Sequence, residues 1–190
     1  ITGQLPAGFR APVFSIGRRN LWALAVLAEE GYAYDASIFP FAGPRYGIGD
    51  WPTEPRCVEL GASRSITEYP LTVTTVGGRR LPIAGGGYAR LLPGAVLRRA
   101  MRREARRRAI APVFYCHPYE IDASELSRHY GHAPLRRRLH QGLGRRGFAG
   151  KLRRLVRAFD CVPMGEALAQ APALPRLKLA SLSWPAAPAP

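Results

Sequence analysis

Gly8-Phe9-Arg10-Ala11-Pro12-Val13-Phe14 opens a forty-residue run whose pattern sets the fold class. Gly8 to Phe14 reads as an apolar strand interrupted by a single arginine and checked by proline. Asn20 is a suitable N-cap for the next element, because its side chain accepts from free amides of a first helical turn. Leu21, Leu24, Leu27 and Ala28 fall at helical spacing, and Gly31 closes that helix. Tyr32 to Phe39 reads as a second strand, stopped by Pro40. Strand, helix, strand is the repeating unit of a parallel α/β sheet.

A hundred residues later Val113-Phe114-Tyr115-Cys116-His117-Pro118-Tyr119-Glu120 repeats the design. Pro112 to His117 is apolar on both faces, as a buried parallel strand should be. Period-two geometry puts Val113, Tyr115 and His117 on one face, so the imidazole stands at the strand end. Strands that deliver an arginine and a histidine at their carboxyl ends are what a (β/α) barrel uses to build a site.

Between these stretches, Phe41 to Ala62 reads as a long ordered loop with Trp51 exposed on it. Ile66 to Val76 is β-rich and leads to a Gly77-Gly78 turn. Gly94 to Ala109 is a basic helix with a narrow apolar stripe through Leu97 and Met101. Phe148, Leu152, Leu155 and Phe159 mark another amphipathic helix. Cys161 to Met164 reads as a last short strand, and Glu166 to Ala169 starts a helix. Residues 1–169 therefore form the folded part, and the proline-rich tail 170–190 reads as disordered.

The totals constrain partners. Lys and Arg number 28 against 13 acidic residues, a net charge of +15. The excess is local: Arg98 to Arg108 holds seven Arg and one Glu, and Leu126 to Phe159 holds ten basic residues and no acid. Such faces attract nucleic acid, anionic lipid or acidic glycan, or simply solvate helices. No recognisable nucleic-acid motif accompanies them, so a specific nucleic-acid partner is not expected. The three cysteines, Cys57, Cys116 and Cys161, suit neither a disulfide framework nor a zinc knuckle, and reduced thiols fit a cytoplasmic setting. No apolar run reaches the ~20 residues of a membrane span.

Three residues carry the candidate chemistry. His117 is a strand-end general acid or a hydrogen-bonded structural histidine. Arg10, between Phe9 and Pro12, needs an anionic partner. Asp35, mid-strand, needs a partner too, a backbone amide or another site residue. Gly85-Gly86-Gly87 lacks the spacing and the Lys-Ser/Thr of a phosphate cradle. His129, His132 and His140 have no carboxylate or cysteine near them in sequence and make a poor metal set.

Arg10-Ala11-Pro12, Gly85-Gly86-Gly87-Tyr88 with Arg90-Leu91-Leu92-Pro93, and Tyr115-Cys116-His117-Pro118 together resemble the later motifs of the polysaccharide deacetylases, the NodB-like carbohydrate esterases, in their exopolysaccharide and exosortase-associated branch. Tyr119 departs from the tryptophan of that branch and Ala36 from its serine, while Glu120 is kept. The resemblance spans residues 1 to 169 and implies a partial (β/α) barrel lacking its N-terminal strands. Together with a first residue that is Ile1 rather than Met, it reads as the C-terminal part of a longer protein, whose N-terminal signal would not be seen here. It implies hydrolysis of N-acetyl groups on the amino sugars of an exopolysaccharide, in the cytoplasm or at the cell envelope. His117 would be the acid to the leaving amine, Arg10 would hold a catalytic-base Asp preceding Ile1, and Asp35 would tune His117. Gly86, Gly87, Tyr88, Tyr119 and Trp51 would meet the glycan. The family's divalent metal, zinc, requires an Asp-Asp strand end and a His-x-x-x-His segment. Neither occurs in these 190 residues, so the chain alone is expected to be inactive, and its exposed apolar edge suggests pairing with another copy. The alternative expectation is a basic module for nucleic acid or acidic glycan, built on Arg98 to Arg108 and Arg136 to Arg157.

Overall fold

A computed structural model of the chain describes residues 3, 5–43, 46–61, 63–125, 128, 132 and 134–179, with the side chains of residues 137 and 140 outside that description. The expected strand–helix–strand start is present: β1 (Gly8–Phe9), α1 (Ala23–Glu29) and β2 (Tyr34–Asp35), the two strands parallel. β3 (Arg56–Gly61) and β4 (Arg64–Glu68) form an antiparallel pair, and β4 lies parallel to β2. With β7 (Arg176–Lys178) these make one sheet in the order β1-β2-β4-β3-β7. The result is a mixed α/β structure with an open, partly parallel sheet.

A separate hairpin joins β5 (Val73–Val76) to β6 (Arg79–Pro82). Its turn is the expected Gly77-Gly78, where φ of 55° and 76° at successive residues gives the twist that a two-residue hairpin needs. The chain continues through α2 (Gly86–Leu91) and α3 (Gly94–Arg107), then α4 (Leu135–Gly142), α5 (Arg145–Val156) and α6 (Met164–Ala169). No helix among the described residues is long and apolar enough to cross a membrane.

Several expected strands are much shorter than their apolar runs. The first stops at Phe9 because Pro12 brings a 3-10 turn over Pro12–Phe14, with Val13 and Phe14 in the left-handed region at φ 59° and 52°. Val13 is left exposed (68%), whereas Val113 is buried. The second pairs only through Asp35 because side chains then replace the ladder: the amide of Ser37 donates to Asp35 and that of Ile38 to Glu68. Pro112 to His117 retains one parallel bridge, Gly85 to Tyr115, since α2 begins at the next residue and offers no further rung. Ile66 to Val76 is split between β4 and β5, which belong to different sheets. The end of the long loop is β3, and Cys161 to Met164 is not a strand.

The tail also corrects the expected boundary. Arg176–Lys178 pairs with β3 in parallel, and Leu179 is buried beside Val58 and Ile66 in one core cluster. Residues 180–190 lie outside the described residues. Trp51 is 2% exposed in that same cluster, not on the surface of its loop. A second cluster gathers Phe14, Phe39, Leu71, Leu97, Met101, Phe148 and Leu155, burying the apolar stripes of α3 and α5.

Basic residues hold the loops to these clusters. Arg80 of β6 donates to the carbonyls of Gly49 and Trp51 (2.7 and 2.6 Å), and Arg108 donates to Thr53 (2.8 Å) and Val73 (3.2 Å). Lys151 of α5 donates to the carbonyls of Ala89, Arg90 and Leu92 (2.8, 2.8 and 2.5 Å). Those are the free carbonyls at the end of α2, so an ammonium there satisfies acceptors and favours the helix dipole. Lys151→Met keeps the aliphatic stem and removes the donors. Chemical denaturation should show a loss of about 1–3 kcal/mol, the cost of stranding partly buried acceptors.

Candidate functional site

Arg10 follows the last residue of β1, Asp35 ends β2 and Glu68 ends β4. The register aligns Phe9 with Asp35 and Asp35 with Glu68, so three charged or acidic side chains stand at the carboxyl ends of adjacent parallel strands. That edge is where open α/β sheets place ligands.

Asp35 and Glu68 are both fully buried. Asp35 accepts from the Ser37 hydroxyl (2.6 Å) and amide (3.1 Å), and the same hydroxyl accepts from the Ala11 amide (2.7 Å). Glu68 accepts the Ile38 amide through Oε1 (2.9 Å), while its Oε2 has no conventional donor. Burial, then the neighbouring Asp35, pushes Glu68 well above the ordinary carboxylate range. Both facts favour the neutral form of Glu68, because two carboxyls in one apolar site disfavour each other's charge. Asp35 makes no hydrogen bond to His117 among the described residues; its partners are Ser37 and Glu68.

Arg10 is half-buried. Its Nε donates to the Ala36 carbonyl (3.0 Å), and the guanidinium lies 4.8 Å from the Tyr115 ring centroid. Burial lowers its pKa, opposed by the charges of Tyr115, Asp35 and Glu68. It forms no ion pair among the described residues. Tyr115 then reaches His117, with its hydroxyl 2.6 Å from Nε2. Burial raises the Tyr115 pKa, so the phenol keeps its proton. Tyr119 stacks on the His117 ring, with centroids 4.7 Å apart and planes at 16°. Arg10, Tyr115, His117 and Tyr119 thus form one continuous column. Left-handed Val13 and Phe14 help build it, since the turn presses Phe14 edge-on against Tyr115 at 5.1 Å.

Glu120 fixes the histidine's backbone. Its Oε2 accepts the His117 amide (2.9 Å), the Glu120 amide returns to the His117 carbonyl (3.0 Å), and Oε1 lies 3.3 Å from Arg90 Nε. Arg90 and Glu120 are both nearly inaccessible. Arg145, equally buried, donates to the Tyr119 carbonyl and Glu125 (2.9 Å each). The triple glycine meets this network. A Cβ on Gly86 would lie 1.9 Å from Glu120 Oε2, so α2 approaches only because residue 86 has no side chain. A Cβ on Gly87 would make only an ordinary contact, 3.9 Å from the Arg90 guanidinium, while Tyr88 packs on Phe39 and Phe41, its pKa raised to about 12 by burial.

Of the residues read from sequence, Arg10, His117 and Tyr119 therefore come together, Gly86 supports them from behind, and Trp51 lies away in the other cluster. Glu68 and Arg145 were missed, and Tyr115 and Arg90 entered only as motif members without a role in the site. The signal for Tyr115 was present in its period-two relation to His117; Arg90 and Arg145 were hidden among exposed arginines. Cys116 is not an activated nucleophile, because burial and then Glu120 raise its pKa.

No three His, Cys, Asp or Glu side chains converge among the described residues. His129 and the side chain of His140 lie outside them. His117 Nε2 is engaged by Tyr115, and Asp35 and Glu68 are sealed from solvent. The described residues thus do not fit the zinc ion that the sequence resemblance implies.

Fold and site together define an α/β protein with an Arg-Tyr-His column at the carboxyl edge of short parallel strands. Residues 36–169 match the domain of unknown function DUF3473, and the chain belongs to that family. Comparison with curated proteins and with solved structures finds no match.

Two substitutions test the supports. Gly86→Ala must displace a buried carboxylate, and its unfolding free energy should fall by about 1–3 kcal/mol; unchanged stability would show that the Glu120 contact is absent. For Glu68, a raised folded-state pKa means that stability is fullest below the ordinary value of 4.5 and drains away as pH rises. Glu68→Gln stays neutral while keeping an acceptor for Ile38 and a donor for Asp35. Its melting temperature should gain on the unsubstituted chain as pH rises from acid to neutral, whereas parallel profiles would show that Glu68 holds no extra proton.

Proposed function

We propose that this chain is the acid-bearing part of a deacetylase that hydrolyses N-acetyl groups on the amino sugars of a bacterial exopolysaccharide. Its short parallel strands are read as a partial (β/α) barrel. The observation that carries the proposal is the column itself: a half-buried guanidinium without an ion pair, linked through one tyrosine to a strand-end histidine. The motifs that supply those residues are the ones shared with the polysaccharide deacetylases.

In this reading His117 delivers a proton to the departing amine. The edge contact with Tyr115 and the stack on Tyr119 restrict the imidazole, which lowers the cost of aiming that proton. Arg10 orients a carboxylate that acts as base. Fixed by the Ala36 carbonyl and the Tyr115 face, it leaves its terminal nitrogens for that anion. Asp35 and Glu68 act on Arg10, through their shared charge, rather than on His117. Tyr119, 39% exposed, is the aromatic best placed to meet a sugar face. The metal that polarises the acetyl carbonyl in such reactions belongs to residues other than these, and no step assigned here runs through it.

The test is acetate release from an N-acetylated oligosaccharide by the native polypeptide that contains this chain. His117→Ala should lower kcat by about 10²–10⁴-fold, the usual worth of a positioned general acid. Arg10→Lys retains charge but loses the planar fork, and should also lower kcat while leaving the melting temperature nearly unchanged. Near-normal turnover by His117→Ala would end the general-acid assignment.

A further inference from the structure

The hairpin β5–β6 and helix α3 enclose an open groove of ≈ 1010 Å³ on a face the site does not use. Its apolar lining is unusually exposed for aliphatic side chains: Val76 at 54%, Leu81 at 45%, Leu91 at 59% and Val96 at 50%. Six arginines between Arg98 and Arg107 line the same groove. Glu104, the one acid of that helix, does not neutralise them. It is buried, accepting from the Thr74 hydroxyl (2.7 Å) and paired with Arg108 (3.4 Å).

An aliphatic floor beside an uncompensated arginine rim selects its partner. A single-stranded nucleic acid or a glycan would be gripped by exposed aromatic rings, and duplex DNA would use the guanidinium groups but leave the aliphatic floor uncovered. The only aromatic side chain lining this groove among the described residues is Tyr88, which packs on Phe39 and Phe41. A second copy of the chain would bring another +15 against the same rim. An anionic membrane offers both complements at once, phosphates for the guanidinium groups and acyl chains for the aliphatic residues. We infer that the groove between the β5–β6 hairpin and α3 is a docking surface for the face of an anionic phospholipid bilayer. Arg99 and Arg103 meet headgroup phosphates, and Val76, Leu81 and Val96 dip below them. This inference does not depend on the proposed deacetylase reading.

Vesicle co-sedimentation of the 190-residue chain at physiological salt tests it. Vesicles of phosphatidylcholine with about one-third phosphatidylglycerol should bind, and pure phosphatidylcholine should not. Arg99→Gln with Arg103→Gln should weaken binding about 25-fold, at about fivefold per basic residue. Leu81→Ser with Val96→Ser should weaken vesicle binding several-fold without changing the melting temperature, because both positions are exposed. Duplex DNA should compete poorly, and the serine pair should leave its weak binding untouched. The inference is overturned if anionic vesicles do not bind or if the serine pair binds them as well as the parent chain. It is also overturned if DNA competes on equal terms, which marks a general polyanion surface. A dimer in analytical sedimentation that the serine pair dissociates would likewise overturn it, by assigning the groove to a second copy.

Discussion

The Glu120 carboxylate occupies the space where a side chain at residue 86 would sit, and much of the site depends on that exclusion. One oxygen receives the His117 amide, the other faces Arg90, and the glycine lets the start of α2 close over both. A buried ion pair is weak evidence for stability, since desolvation offsets most of its attraction, but removing one partner strands the other charge at a cost of about 3–5 kcal/mol. Its consequence here is geometric. α2, the turn Pro118–Glu120 and α5 are tied to one another, with Lys151 closing the far end of α2 from the same helix α5. The His117 backbone is held by contacts that do not involve its ring, and the orientation of the imidazole is left to Tyr115 and Tyr119.

The arginine-rich composition resolves into two populations that sequence cannot separate. Arg90, Arg108 and Arg145 are buried at the side chain and act as multivalent donors to loop carbonyls and carboxylates. Those of α3 line a groove that holds no acidic side chain among the described residues. A net charge of +15 says nothing about this division, because a guanidinium with a long apolar stem suits either place. Helices α1, α3 and α5 were legible, since spacings such as that of Phe148 and Leu155 record a single buried face, whereas α2 and α4 carried no such signal.

Strand boundaries were not legible, for a physical reason specific to this sheet. The run Asp35 to Phe39 is fully buried, yet the amides of Ser37 and Ile38 are claimed by carboxylates instead of a neighbouring strand. Periodicity reports burial, and burial does not distinguish a ladder from an extended segment held by side chains. β7 was missed for the converse reason. Arg176, Leu177 and Lys178 look like part of a polar tail, and their pairing with β3 is a long-range contact with no local signal. Trp51 was misplaced because its glycine-rich loop suggested exposure, whereas Arg80 draws that loop onto the core.

Arg10 and His117 were the most legible parts of the site because each is an anomaly in its local sequence. The partner that makes sense of Arg10 was not legible, because it depends on strand register. Asp35 and Glu68 are neighbours only once β2 and β4 align in parallel. Two full negative charges there would attract the guanidinium inward and strengthen each other's desolvation cost. Burial and then the neighbouring Asp35 push the Glu68 pKa up, which favours its neutral form and lessens that cost. The Ala36 carbonyl and the Tyr115 ring hold Arg10 at the rim and not in the carboxyl pair. The buried pair therefore compensates the arginine's charge from behind without consuming its hydrogen-bond donors. Those terminal donors have no ion-pair partner among the described residues.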